Sequence, residues 1–202
     1  MINRPKYKIA RRLGAGIFDK TQSQKFSLAE AKRKVEKRPR AGSEFGAQLL
    51  EKQKARYFYG INERQFAKYV KEDISSKGSS ADENLFARLE TRLDNVVYRM
   101  GLAKTRQAAR QMVSHGHILV NGKKTNIPSF NVSMGDKVSV RVGSQKSKLF
   151  TVLKEEIKDR AQTPSWLKFD IEKMLGDVQG SPKLTRSELI YDISAILEFY
   201  RR

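Results

Sequence analysis

An α+β fold is predicted for this chain, and two changes of rhythm predict it. Apolar residues recur at helical spacing from residue 43 to 116, and the spacing falls to two between 117 and 142. A helical stripe returns from about Ser187, through Leu189, Ile190, Ile193, Ile196, Leu197 and Tyr200. Apolar residues make up 39% of 202 positions, enough for a core beneath a heavily charged surface.

Residues 1–42 hold few large apolar side chains and no sustained period, which predicts a basic extension that orders on a polyanion. Arg11-Arg12, Lys32-Arg33-Lys34 and Lys37-Arg38-Pro39-Arg40 punctuate it. Inside it, Ser27 to Glu36 is expected to form a short helix, capped by Ser27 with Glu30 three residues on. Ser43 caps the next helix, where Phe45, Leu49, Leu50 and Tyr57 share helical spacing and Lys52, Lys54 and Arg56 take the opposite side. Gly60 ends it. A helix from Asn62 turns Phe66, Tyr69 and Val70 inward, and a loop follows around Gly78.

From Ser80 or Ala81, one helix is expected to carry Leu85, Phe86, Leu89, Leu93, Val96, Val97 and Met100 as a single stripe, stopping at Gly101. Asp94 falls mid-helix as an exposed carboxylate. Thr105 caps a helix that buries Ala108, Ala109, Met112 and Val113 and stops at Gly116. Asn121-Gly122 between His117–Val120 and Lys123–Asn126 predicts a tight hairpin, because this pair supplies two positive φ angles. Val138, Val140 and Val142 alternate with Ser139 and Arg141 as a half-buried strand. Phe150 to Leu153 adds a strand, and Thr163 to Leu167 is a loop anchored by Trp166.

Lys and Arg number 41 against 22 Asp and Glu, a net charge of +19 and a pI near 10.2. Residues 1–60 hold 16 basic and 5 acidic residues, and 91–155 hold 12 and 3, while the remainder is near neutral. Two basic blocks imply two contact zones for a polyanion. No apolar run approaches the ~18 residues of a bilayer span, so a membrane partner is not expected. The basic start lacks a signal-peptide stretch. Without Cys there are no disulfides and no thiolate metal sites.

Residues 85–142 place cations on a compact scaffold with nothing arranged as a reaction centre, which points to RNA. Lys104, Arg106, Arg110, Lys123 and Lys124 would follow its backbone, with Gln107, Gln111 and Asn121 bonding riboses or phosphates. His115 and His117 have no third His and no nucleophile–base partner, so they read as RNA contacts or packing rather than metal ligands or catalysts. Tyr57, Phe58 and Tyr59 point around a helix, so at least one is core and the others are open to base stacking. Arg92-Leu93-Asp94 is similar to the setting of the Asp in pseudouridine synthases, but Thr91 stands where those enzymes have Gly. An RNA-modifying enzyme and a free-standing ribosome-associated factor are therefore the alternative functions.

Longer motifs recur in a fixed order: Glu51-Lys52-Gln53-Lys54, Tyr59-Gly60, Glu63-Arg64-Gln65-Phe66, Glu83-Asn84-Leu85, Arg92 to Arg99, Val113-Ser114-His115-Gly116-His117-Ile118, Val120-Asn121-Gly122, Asn126-Ile127-Pro128-Ser129, Trp166-Leu167 and Glu198-Phe199-Tyr200. In these the chain resembles the bacterial-type small-subunit ribosomal protein S4 family. The resemblance implies a mainly helical domain formed by the N-terminal half and the C-terminal helix, with an inserted α/β RNA-binding module of two helices and a small antiparallel sheet. The expected segments are a basic extension 1–42, a helical domain 43–90 to which 187–202 returns, a module 91–155, and a connecting segment 156–186.

The resemblance further implies a structural, non-enzymatic constituent of the small ribosomal subunit in the cytoplasm. It would bind 16S ribosomal RNA early, nucleate the 5′ domain, contact neighbouring protein S5 and influence decoding accuracy. Lys37, Arg38 and Arg40 would face the channel through which messenger RNA enters. Lys52, Lys54, Arg56 and Arg64 would serve the helical contact. Lys104, Arg106, Gln107, Arg110, Gln111, Ser114, His115, His117, Lys123 and Lys124 would serve the module. Many members carry a four-cysteine zinc knuckle; this chain has no Cys, so neither zinc nor any other cofactor is expected.

Overall fold

A computed structural model of the chain describes residues 5–32, 42–76, 80–147, 150, 163–185 and 189–202. It divides into two compact units: Met1–Leu85 with Thr185–Arg202, and Phe86–Leu184. Among the described residues no helix is long and apolar enough to cross a membrane.

The first unit is helical. It contains α1 (Lys6–Leu13), α2 (Gln24–Ala31), α3 (Glu44–Tyr59), α4 (Glu63–Ser75) and, after the second unit, α9 (Ile193–Arg201). The start of α5 (Ala81–Glu90) also belongs to it. The expected caps form. Ser43 Oγ accepts from Gly46 N at 3.2 Å, Asn62 Oδ1 accepts from Gln65 N at 2.8 Å, and Gly60 closes α3 in the left-handed region at φ 64°. Phe66 and Val70 of α4 are buried, and α9 packs on α3 and α4 with Ile193, Ile196 and Leu197. Tyr59 and Tyr191 share a buried hydrogen bond at 3.0 Å.

Four expectations for this unit change. The described part of the extension is folded: Ala10, Leu13, Ile17 and Phe26 are buried along α1, two 3-10 turns and α2. Each piece is too short to show a period. The short helix starts earlier than expected, so Ser27 lies within α2, where its hydroxyl bonds Gln24 O at 2.8 Å. The buried stripe of α3 is Gln48, Lys52, Ala55 and Tyr59, while Phe45 is exposed and rests on Phe199. The closing helix begins at Ile193 rather than near Ser187, because Asp192 is its cap, accepting from Ser194 N at 2.9 Å.

The second unit holds α6 (Leu93–Arg99), α7 (Arg106–Ser114), β1 (Ile118–Val120), β2 (Lys123–Lys124), β3 (Lys137–Val140), α8 (Val142–Gln145), β4 (Leu167–Asp170) and β5 (Leu175–Val178). The strands form an antiparallel sheet in the order β2-β1-β3-β5-β4. Asn121 and Gly122 take φ 49° and 76°, the predicted tight turn. Val96, Val97, Ala109, Met112 and Val113 pack with Ile118, Val120, Val138 and Val140 in one core.

The expected single helix over 80–100 is two helices. Arg92 is extended, at φ −59° and ψ 135°, and bridges Asn131. Leu93 N bonds Phe130 O at 2.8 Å and Val132 N bonds Thr91 O at 2.9 Å, so a distant loop replaces the helical bonds while the apolar stripe runs on in phase. The third strand stops at Val140. Val142 starts a helical turn and is 71% exposed. Phe150 is buried and helical rather than extended, and the rest of that expected strand lies outside the described residues. The segment expected as a connector instead supplies β4 and β5. Gly176 of β5 lies so close to Met100 that any Cβ there would collide with its thioether.

Candidate nucleic-acid interface

The cations of the helical unit are turned to different ends. Lys52 is buried, against the expectation that it lies on the polar side of α3. Its stem packs inward, its ammonium lies 4.5 Å from the Phe199 ring centroid, and Nζ donates to Glu63 Oε1 at 2.8 Å. Arg56 Nη1 donates to Glu63 Oε2 at 2.9 Å, and the Tyr200 hydroxyl donates to Oε1 at 2.8 Å. Burial raises the Glu63 carboxyl, but hydrogen bonds from Lys52 and Tyr200 and the charges of Lys52 and Arg56 outweigh it and hold the group below its ordinary value. Burial and the same hydrogen bond raise Tyr200. Lys54 pairs with Glu51 at 2.6 Å, one turn back on its own helix. Arg64 is exposed on α4.

In the second unit Arg106 and Arg110, expected on an open face, turn inward. Arg110 reaches Asp94 Oδ2 through Nε at 2.8 Å and Nη2 at 2.7 Å. Arg92, itself buried, holds the same carboxylate through Nη2 at 2.9 Å and Nε at 3.1 Å. Arg106 Nε donates to Asn95 Oδ1 at 2.8 Å, with its guanidinium 4.4 Å from the Tyr98 ring centroid. Asn95 continues to Glu90, which Arg99 grips with two bonds of 2.9 Å. Asp94 is thus buried rather than exposed and begins α6 rather than lying mid-helix. With both oxygens held by guanidinium groups it is a structural anion, poorly placed for attack on a base.

Four polar residues of the module do face outward. Gln107 is half-buried and Gln111, Ser114 and His115 are exposed along and just beyond α7, where Ala109, Met112 and Val113 face the core. Lys104, in the loop before α7, is exposed and makes contacts of its own within the fold. Lys123 and Lys124 are exposed on β2, opposite Val120 and Leu119, so they leave the ribbon on opposite faces.

Lys124 crosses over Gly116, which sits at φ 72°, so a Cβ there would be strained and would push the lysine aside. There it joins His117, whose Nδ1 lies 2.9 Å from Ser144 Oγ and whose ring centroid is 6.0 Å from that of His115. Arg141 arrives beside them because its N bonds His117 O at 2.8 Å across the sheet. Burial lowers His117, and the neighbouring positive charges of His115, Arg141 and Lys124 lower it further.

This cluster concentrates positive charge on the outer face of the sheet, and no salt bridge to its Lys or Arg occurs among the described residues. Arg141 belongs to it although the sequence reading did not choose it. The period-two pattern that made Arg141 an outward residue was the available signal. Lys37, Arg38 and Arg40 lie outside the described residues. Among the described residues, no three His, Asp or Glu stand close enough to hold a metal ion.

Comparison with known proteins covers almost the whole chain. The family model for the S4 domain matches residues 91–138, and the one for the ribosomal protein S4/S9 N-terminal domain matches residues 2–90. The chain is 43% identical over 201 residues to the small ribosomal subunit protein uS4 of Roseiflexus sp. (strain RS-1), covering 98% of this chain and 97% of that protein. The proteins of the same name from Geobacillus stearothermophilus and Geobacillus thermodenitrificans are 43% and 44% identical over 211 residues, with the same coverage.

Proposed function

The chain belongs to the uS4 family of small ribosomal subunit proteins, and from that premise we propose that it binds 16S ribosomal RNA through two cationic surfaces. It is a structural component and not an enzyme, as its relatives are ribosomal proteins along nearly their full length. The observation that carries the RNA reading is the group of Lys124, Arg141 and His115 around His117. These groups leave the sheet with uncompensated positive charge that a phosphate would neutralise. Gln107, Gln111 and Ser114 add neutral hydrogen-bonding groups suited to riboses and phosphate oxygens.

In this reading Lys54, Arg56 and Arg64 on α3 and α4 provide the other surface, and the outer face of the module's sheet provides the first. Arg106, Arg110 and Lys52 act mainly by holding those surfaces in shape. Within this reading, kinship with the family supports early binding to the 5′ domain, a contact with protein S5 and an effect on decoding accuracy. It also supports a role for Lys37, Arg38 and Arg40 beside incoming messenger RNA in the cytoplasmic ribosome.

The test is the salt dependence of binding to a 5′-domain transcript. Replacing Lys124 and Arg141 together by Ala is expected to reduce the slope of log affinity against log salt by about 1–2, roughly one per lost phosphate contact. An unchanged slope in a folded double variant overturns the assignment.

A further inference from the structure

The helical unit contains a recess of its own. A cavity of about 440 Å³ opens between α1 and α3. That volume lies in the range of pockets that take one small ligand. Leu49 and the Tyr57 ring form apolar walls, and the Gln53 amide offers both a donor and an acceptor. Lys8 and Arg12, one turn apart on α1, and Arg56 on α3 supply charge, while no carboxylate is among the described residues that line the space.

Two details point to an occupant. Arg56 lines the space, gives one nitrogen to Glu63 and keeps an Nε with no hydrogen-bond partner, so the fold does not saturate its guanidinium. Of the three consecutive aromatics, Tyr59 is buried on Tyr191 and Phe58 packs against both, whereas Tyr57, edge-on to Phe18 at 6.4 Å and with the Arg56 guanidinium 5.0 Å from its centroid, lines the cavity.

We infer that this cleft takes one unstacked nucleotide of the bound RNA, with its base against Tyr57, its edge read by Gln53, and its phosphate held by Lys8, Arg12 and Arg56. This deepens the RNA-binding reading and rests on it. The recess makes the helical unit a reader of an unpaired position, whereas the sheet cluster needs only a backbone.

Ultraviolet cross-linking of the full chain to a 5′-domain transcript, followed by mass spectrometry, tests it. A single-nucleotide adduct on the peptide carrying Tyr57 is expected. Gln53→Phe leaves net charge unchanged and fills the cleft. It should abolish the adduct and weaken binding about tenfold, the scale of one lost stacked base, with the salt slope falling by about one at most for the single phosphate that leaves the cleft. Binding by the wild-type chain without an adduct at Tyr57 overturns this inference alone, whether or not the variant folds. Unaltered affinity in a folded Gln53→Phe chain does the same. No binding by the wild-type chain overturns the functional reading and this inference with it.

Discussion

Glu63 and Asp94 each gather two cationic side chains onto one carboxylate, yet they work in different surroundings. Glu63 collects Lys52, Arg56 and the Tyr200 hydroxyl, and its side chain is 43% exposed. Asp94 collects Arg92 and Arg110, and its side chain is 4% exposed. Water screens the first cluster and tolerates adjustment in it. The second is sealed, so losing any member strands a charge. The same pairing therefore gives an adjustable anchor in the helical unit and a rigid one in the module.

The sharpest way to break this contrast is Asp94→Ala. It strands the buried Arg92 and is expected to cost about 3–5 kcal/mol in denaturant unfolding. A loss below about 1 kcal/mol would show that the network is not sealed. Next in size is Arg106→Glu with Arg110→Glu. These side chains hold Asn95 and Asp94, so the pair should lower stability by about 2–3 kcal/mol as well as weakening RNA binding. Unfolding curves measured beside affinities separate the two effects. An unchanged midpoint would return both arginines to the open surface.

Glu63→Gln should cost less, about 1–2 kcal/mol after allowing for solvent at the half-exposed carboxylate. Its pH dependence has a definite sign. Glu63 is lowered in the folded chain, so its contribution is complete above the unfolded value and is lost as pH falls through the folded one. The wild type should thus lose more stability on acidification than the Gln variant, and parallel acid titrations would remove Glu63 from the account.

The smallest effect concerns His117, which is also lowered. As pH falls through the ordinary histidine range the unfolded chain takes up a proton that the folded chain resists, so stability declines there. A phosphate beside the ring reverses the bias, and transcript affinity should rise modestly as pH falls. A His117 resonance that titrates identically with and without RNA would remove it from the contact.

Local chemistry was legible in the residues. Ser43, Asn62 and Thr105 cap helices and Asn121-Gly122 turns the hairpin, because each signal acts within a few positions. What was hidden depends on distant partners. The break at Arg92 needs the backbone of residues 128–132, which no periodicity reports. The inward path of Lys52 needs Glu63 and the rings of Phe199 and Tyr200. Strands β4 and β5 are short and β5 contains Gly176; β5 gains its place by pairing with β3, and β4 by pairing with β5. The site divides likewise. Lys124, His115 and His117 were visible as residues, whereas Arg141 joined them only through the sheet, and the cleft beside Tyr57 exists only once α1 meets α3.

The bond from Tyr200 to Glu63 spans 137 positions of chain, and α9 completes the helical interior with Ile193, Ile196 and Leu197. A growing polypeptide must therefore finish the whole intervening module before α3 and α4 receive their cover. A product broken off upstream of residue 193 leaves the faces of α3 and α4 that α9 covers open to water, and is expected to be more readily cut by added protease than the full chain.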